Sequence, residues 1–162
     1  IVAFNYGMGD KKRVNDGIKY GVLYTLIVVA VGLIGLELFA EPLAKVFDVS
    51  GVTLELCISA IRIISISFIC AGLNIALQGV FQAMDSGLQS LIISVCRQFL
   101  FVLPVAWGFA EFVISSGGSE WLVWLTFPIA ETLSAIIGAI FMRNIYKTKI
   151  KSMDSFGLDI SE

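Results

Sequence analysis

The stretch "LQSLIISVCRQFLFVLPVAWGFA", residues 88–110, decides the fold class of this chain. It contains 23 residues, and Arg97 is the only charged one among them. An α-helix rises 1.5 Å per residue, so about 20 apolar residues are enough to cross the hydrocarbon core of a bilayer. The stretch therefore predicts a membrane-spanning helix that carries one charge close to its middle.

Three other segments have the same character, and the composition of the whole chain agrees with them. Of the 162 residues 57% are hydrophobic and 15% are charged, whereas charged residues make up about 25% of a soluble domain. The mean hydropathy is +0.90. The predicted spans A to D are residues 20–40, 58–84, 88–110 and 121–142. The sequence thus predicts an all-α integral membrane protein with four transmembrane helices.

Short connections between the spans predict one helical bundle. Residues 85–87 form a tight turn between B and C, residues 41–57 join A to B, and residues 115–119 form a Ser- and Gly-rich loop before D. We expect the bundle to occupy residues 1–147. Residues 148–162 are polar and are expected to form a cytoplasmic tail.

The distribution of Lys and Arg predicts the orientation of the spans. Eight of the eleven cations precede span A or follow span D: Lys11, Lys12, Arg13, Lys19, Arg143, Lys147, Lys149 and Lys151. Cytoplasmic loops carry an excess of Lys and Arg, so both ends of the chain are expected in the cytoplasm. An even number of spans is consistent with this, and we expect a multi-pass protein of the plasma (inner) membrane.

The residue types that are missing exclude several functions. The chain has no His and only three Cys, without a C-x-x-C spacing, so common zinc and haem sites are not predicted. No motif for a catalytic nucleophile is present, and an enzyme is not expected. No basic block suggests nucleic acid, which leaves the lipid bilayer as the surroundings of the chain.

Three carboxamides follow one face of span B. Asn74, Gln78 and Gln82 are spaced by four residues and therefore lie on the same side of a helix. Such side chains do not readily face lipid. Two interpretations remain open: hydrogen bonds to neighbouring helices, or one wall of a hydrated cavity on the path of a substrate or ion.

Opposite charges lie at similar depth in spans C and D. Arg97, followed by Gln98, lies about 14 Å into span C at the rise of an α-helix, and Glu131 lies eleven residues into span D from the other side. A charge at the bilayer centre costs roughly 3 kcal/mol or more, so such residues pair or line a watery path. We expect Arg97 and Glu131 to be partners, either in a structural salt bridge or in transport itself.

Prolines and glycines make predictions about helix shape. Pro104 in span C and Pro128 in span D each remove a backbone hydrogen bond, and both are expected to kink their helices near the charges. The small residues Gly21, Thr25, Gly32 and Gly35 recur at roughly helical spacing along span A. Small residues of this kind predict the close approach of a second helix.

Three motifs resemble the C-terminal lobe of the multidrug and toxic compound extrusion (MATE) transporters of bacterial type. They are "IVAFNYGMGDKKRV" at residues 1–14, "CRQFLFVLP" at 96–104 and "FPIAETLSAII" at 127–137. The resemblance implies a protein of twelve helices in two lobes, in which spans A to D are helices nine to twelve. It also implies that Asn5, Tyr6 and Gly7 belong to a family motif that ends helix eight.

The same resemblance implies a function. A transporter of this family exports small amphipathic, often cationic organic compounds in exchange for Na⁺ or H⁺ by alternating access. The partner of the chain would be an N-terminal lobe on the same polypeptide, and the coupling-ion site would lie outside these residues; no other cofactor is expected. The alternatives are a lipid-linked oligosaccharide flippase of the same superfamily and a membrane bundle or channel subunit that does not transport.

Overall fold

The computed structural model describes residues 1–153, and every regular element within them is helical. The predicted tail residues 154–162 lie outside the described part. In chain order the α-helices are α1 (Val2–Gly7), α2 (Lys11–Leu38), α3 (Ala40–Lys45), α4 (Gly51–Ile66), α5 (Phe68–Ala83), α6 (Gly87–Val95), α7 (Val102–Ser116) and α8 (Thr126–Ile145). A π-helical segment (Cys96–Phe101) joins α6 to α7, a 3₁₀-helix (Glu120–Leu125) precedes α8, and a second π-helical segment (Tyr146–Ile150) follows it.

Three helical stretches within residues 1–153 are long and apolar enough to cross a membrane. They correspond to predicted spans A, C and D and cover Lys11–Leu38, Gly87–Ser116 and Glu120–Ile150. Each is longer than the predicted span. Span A begins early because the Asp10 carboxylate accepts a hydrogen bond from the Arg13 main-chain N–H at 2.9 Å and caps α2.

Span B is bent instead of straight, and it begins earlier than predicted. Helices α4 and α5 meet at Ser67 at an angle of 47°, and together they can form a fourth span. The Ser67 hydroxyl donates a 2.6 Å hydrogen bond to the Ile64 carbonyl. A serine that binds the carbonyl of the preceding turn competes with the backbone ladder and favours a bend.

The buried apolar core lies at one end of the bundle. It brings together the first turn of α2, the second half of α5, the second half of α6, the end of α8 and the π-helical segment that follows α8. Its members are Val14, Leu77, Val80, Phe81, Met84, Ile93, Ile145 and Ile150. Elsewhere large apolar side chains such as Trp107 and Ile114 are exposed on the outer faces of the helices. Exposed apolar faces of this kind suit a lipid surrounding.

The π-helical segment Tyr146–Ile150 packs against the end of α5. Lys149 Nζ donates hydrogen bonds to the main-chain oxygens of Met84 at 2.7 Å and Asp85 at 2.9 Å. These are carbonyls at the carboxyl end of α5, where a cation is favourable. Ile150 is fully buried. The packed helix therefore continues to residue 150, three residues beyond the predicted end of the bundle at residue 147.

Close helix approach occurs at a glycine of span B. An added Cβ would meet nothing within 4 Å at Gly21, Gly32 or Gly35, so the prediction that these residues admit a neighbouring helix is wrong within residues 1–153. The close approach is instead at Gly72 of α5, where a Cβ would lie 2.7 Å from Val29 Cγ2 of α2. The glycine needed for helix packing is therefore on the partner helix.

Candidate functional site

Polar side chains of α5 pair with those of α6 across an antiparallel interface. Gln82 Nε2 donates to Ser90 Oγ at 2.9 Å, and one turn deeper Ser94 Oγ donates to Gln78 Oε1 at 2.7 Å. Residues four apart share a helix face, so both pairs lie along the same seam. We call this seam, with the Asn74–Glu131–Arg97 group described next, the polar ladder.

The third level of the polar ladder contains both charges of the predicted membrane centre. Asn74 Nδ2 donates to Glu131 Oε2 at 2.8 Å and to the Glu131 main-chain oxygen at 3.0 Å. Arg97 Nε lies 3.6 Å from Glu131 Oε1. Three spans therefore meet here, because Asn74 is on α5, Arg97 on the π-helical segment and Glu131 on α8.

Burial differs among the three members of this level. Asn74 is completely buried, whereas the side chains of Arg97 and Glu131 keep 24% and 16% of their exposure. Asn74 Oδ1 and Arg97 Nε are buried atoms without a hydrogen-bond partner among residues 1–153. The level thus combines a firmly held carboxylate with a guanidinium whose donors are little used.

A glycine on α8 makes room for Asn74. A Cβ at Gly138 would lie 3.1 Å from Leu77 Cδ1 and 3.7 Å from Asn74 Oδ1. Gly138 is itself buried. Helices α5 and α8 can therefore pack closely enough for the Asn74 amide to reach the carboxylate and the main-chain oxygen of Glu131.

The structure brings together most of the residues that the sequence selects. Asn74, Gln78, Gln82, Arg97 and Glu131 all lie in the polar ladder. The carboxamide stripe makes interhelical hydrogen bonds, which is one of the two open interpretations. Arg97 and Glu131 are ion-pair partners, as their depth predicts, and their part in transport stays a prediction.

Gln98 lies beside the polar ladder instead of in it. Its side chain is exposed on the π-helical segment. A π-helix turns less per residue than an α-helix, so the register after Val95 changes. Arg97 lies 3.6 Å from Glu131, whereas Gln98 is exposed.

Both prolines lie next to a change of helix type. Pro104 is in the first turn of α7, directly after the π-helical segment, and Pro128 is in the first turn of α8, directly after the 3₁₀-helix. Each proline therefore lies where the pattern of backbone hydrogen bonds changes. The 47° bend is at Ser67, a position without proline.

The family-motif residues Asn5, Tyr6 and Gly7 form the end of α1. Asn5 Nδ2 donates to the Ile1 carbonyl at 2.9 Å, and Tyr6 packs against the core. Gly9 has φ +73°, a left-handed conformation that favours glycine. The motif reverses the chain between α1 and α2, and it lies away from the polar ladder.

Sequence reasoning missed two contacts that shape the site. Ser65 Oγ donates to Glu37 Oε1 at 2.7 Å, so Glu37 of α2 is bonded to α4. The pairing of the polar ladder was also missed, although the turn contains a signal for it. Gln82 and Ser90 are each four residues from Ser86, and Gln78 and Ser94 are each eight.

Surface cavities lie elsewhere in the bundle. A cleft of about 750 Å³ is lined by α1, the first half of α2 and Ala83. No member of the polar ladder lines it. Among residues 1–153 no cluster of three His, Cys, Asp or Glu side chains could hold a metal, and all three cysteines are free thiols.

A bundle of helices that are long and apolar enough to cross a membrane, joined by a carboxylate, a guanidinium and carboxamides, is that of a multi-pass membrane protein. Residues 1–107 match the MatE family, and the chain belongs to this family of helical membrane transporters. The predictions of an all-α membrane fold and of MATE membership are confirmed.

One curated relative gives a more particular comparison. The FAD transporter of Shewanella oneidensis is 28% identical to this chain over 106 residues, which are 65% of this chain and 24% of the relative. The chain thus spans about a quarter of the length of the curated relative that it matches. No solved structure matches the chain significantly.

Proposed function

We propose that this chain is part of a secondary active transporter that exports amphipathic organic compounds in exchange for Na⁺ or H⁺ by alternating access. The polar ladder is the observation that supports the proposal most directly. A static bundle gains little from burying an Arg and a Glu at mid-span, because each charge is costly in the membrane. Residues of this kind mark substrate and ion paths in transporters.

The rest of the transporter is a part of this proposal. The chain covers 24% of its relative, so an N-terminal lobe on the same polypeptide is expected to face the polar ladder across the transport path. In the MATE arrangement the coupling-ion site would lie outside residues 1–162. We also propose that both ends of the chain are cytoplasmic, because the basic residues around α2 and after α8 are at the same end of the bundle.

Two kinds of cargo fit the proposal. The MATE resemblance favours cationic compounds, as in multidrug efflux. The FAD transporter among the relatives favours an anionic flavin dinucleotide as the second candidate. A lipid-linked oligosaccharide flippase is less well supported, since Arg62 and Arg97 are the only cations within the predicted spans.

Transport by the complete polypeptide in proteoliposomes tests the proposal. Ethidium, norfloxacin and FAD are each loaded, and efflux is followed under an imposed Na⁺ gradient and, separately, an imposed pH gradient. We expect the gradient to drive efflux of at least one compound, and we expect no gradient-driven efflux from vesicles that contain no protein. Movement of a fluorescent lipid-linked sugar in place of all three would favour the flippase, and no movement of any compound would favour a bundle that does not transport.

A further inference from the structure

Arg97 has more hydrogen-bonding capacity than its neighbours use. A guanidinium carries five N–H donors and no acceptor. Its ion pair with Glu131 is made by Nε at 3.6 Å, which is longer than a hydrogen bond. Within residues 1–153 no hydrogen bond from Arg97 side-chain nitrogens is formed, and Nε is a buried donor without an acceptor.

Glu131 is held on its own helix by a different residue. Asn74 donates to both the carboxylate and the main-chain oxygen of Glu131, so the carboxylate is fixed without help from Arg97. The Glu131 carboxylate, 3.6 Å from Arg97 Nε, compensates the charge of the guanidinium without accepting a hydrogen bond from it. It leaves the donors of Arg97 free for another acceptor.

The position of Arg97 makes it reachable. The side chain is 24% exposed, more than its partner Glu131 at 16%. It lies on the π-helical segment Cys96–Phe101, next to the exposed Gln98. Short π-helical segments within α-helices occur frequently at functional sites, and Arg is the side chain best shaped for bidentate binding of carboxylate and phosphate.

From these contacts we infer that Arg97 is an anion-binding residue for a carboxylate or phosphate group of the transported compound. The inference rests on the proposed function and deepens it, because it assigns a charge class to the cargo. Glu131 acts as the resident counter-ion while no anion is bound. Asn74 is a positioning residue that keeps the Glu131 carboxylate from closing onto the guanidinium.

The two halves of the pair should have opposite effects on anion binding. Arg97→Gln removes the binding cation. Glu131→Gln keeps the hydrogen bond to Asn74 but removes the competing negative charge, so Arg97 then attracts an anion more strongly. A purely structural salt bridge would respond in the same direction to both substitutions.

Binding to the purified complete transporter in detergent tests this inference. The probes are carboxyfluorescein for a carboxylate, a fluorescent mant-labelled nucleoside monophosphate for a phosphate, and ethidium as a cation. We expect Arg97→Gln to lower the affinity for at least one anionic probe by about tenfold or more, the size of a charged hydrogen bond. The affinity of Arg97→Lys should lie between those of Arg97→Gln and the unchanged protein. Glu131→Gln should raise the affinity for the same probe. Arg62→Gln, a change at an exposed arginine, is the matched control and should leave the affinity unchanged.

The outcomes separate the inference from the proposed function. If the unchanged transporter binds neither anion, or if both substitutions weaken anions and ethidium equally, the anion site is overturned even when gradient-driven transport is present. If the opposite effects are found but no probe moves along a gradient in proteoliposomes, the anion site stands and the transport proposal fails. Thermal unfolding of each variant shows that binding is compared between folded proteins.

Discussion

Gly72 of α5 lies directly against Val29 of α2, and a methyl group at Gly72 would lie 2.7 Å from Val29 Cγ2. Real Cβ atoms do not approach other carbons so closely. Helices α2 and α5 therefore touch at a point where only glycine fits. Because Val29 is β-branched and stiff, it cannot easily turn away.

Gly72→Ala is expected to destabilise the bundle by about 1 to 3 kcal/mol, the usual range for overpacking. Gly79→Ala is the matched control on the same helix, because a Cβ there meets nothing within 4 Å. Alanine improves helix propensity at both positions by about 1 kcal/mol, so the difference between the variants isolates the clash. Unfolding in mixed detergent micelles measures it, and equal stability of the two variants would contradict the close contact.

Removing one charge of the Arg97–Glu131 pair should cost more than removing both. Arg97→Met alone leaves the Glu131 carboxylate at mid-span with only Asn74, and Glu131→Gln alone leaves the guanidinium uncompensated, at about 3 kcal/mol for an unpaired charge. The double variant Arg97→Met/Glu131→Gln carries no charge there and keeps an acceptor for Asn74.

We expect the double variant to be more stable than the sum of the single effects predicts. The yield of folded protein and its thermal unfolding temperature are the measurements. Arg62→Met, a change at an exposed arginine, should show no coupling with Glu131→Gln. Strict additivity for the Arg97–Glu131 pair would show that the ion pair contributes no stability.

The hydrogen bond between Gln78 and Ser94 should show a coupling energy of its own. A double-mutant cycle of Gln78→Leu and Ser94→Ala is expected to give about 0.6 to 1.7 kcal/mol, as for other interhelical hydrogen bonds in membranes. The mismatched cycle of Gln78→Leu with Ser90→Ala is the control, because Ser90 is bonded to Gln82. A mismatched coupling as large as the matched one would mean that the cycle reports general packing.

Lys149→Met should loosen the end of the bundle. It removes the two hydrogen bonds to the carbonyls of Met84 and Asp85, at a cost of about 1 kcal/mol for a partly exposed cation at a helix end. The test is the unfolding temperature, together with amide exchange at residues 84–87. Lys147→Met, at an exposed lysine two residues earlier, should leave both unchanged, and an equal loss in this control would refute the capping role.

Helix faces could be predicted from the sequence because they depend on one helix at a time. Asn74, Gln78 and Gln82 must share a face at 3.6 residues per turn, and a charge such as Arg97 needs compensation wherever a helix crosses a membrane. The partners of the carboxamides depend instead on how two helices are aligned. That alignment follows from the tight turn around Ser86, which makes positions equidistant from it meet.

Other features depend on contacts that no local pattern contains. The bend at Ser67 accompanies a hydroxyl that binds the Ile64 carbonyl, but the Ser134 hydroxyl makes the same kind of bond to Ala130 within the continuous helix α8. The change to a π-helix after Val95 also has no signal in the local sequence pattern. Within residues 1–153 no helix packs closely on Gly21, Gly32 or Gly35, because glycine spacing shows that a helix can approach, and not which helix does.

The hydrogen bonds from Lys149 to the end of α5 connect residues that the ribosome adds to the chain several seconds apart. Lys149 follows Met84 by 65 positions, which a ribosome needs on the order of 3 to 13 s to add. Until then the hairpin of α5 and α6 has its two Gln–Ser hydrogen bonds but not the cation at its turn. The end of α5 is therefore completed only after residues 146–150 have been made, and a chain truncated before Lys149 would lack the cation that binds the carbonyls of Met84 and Asp85.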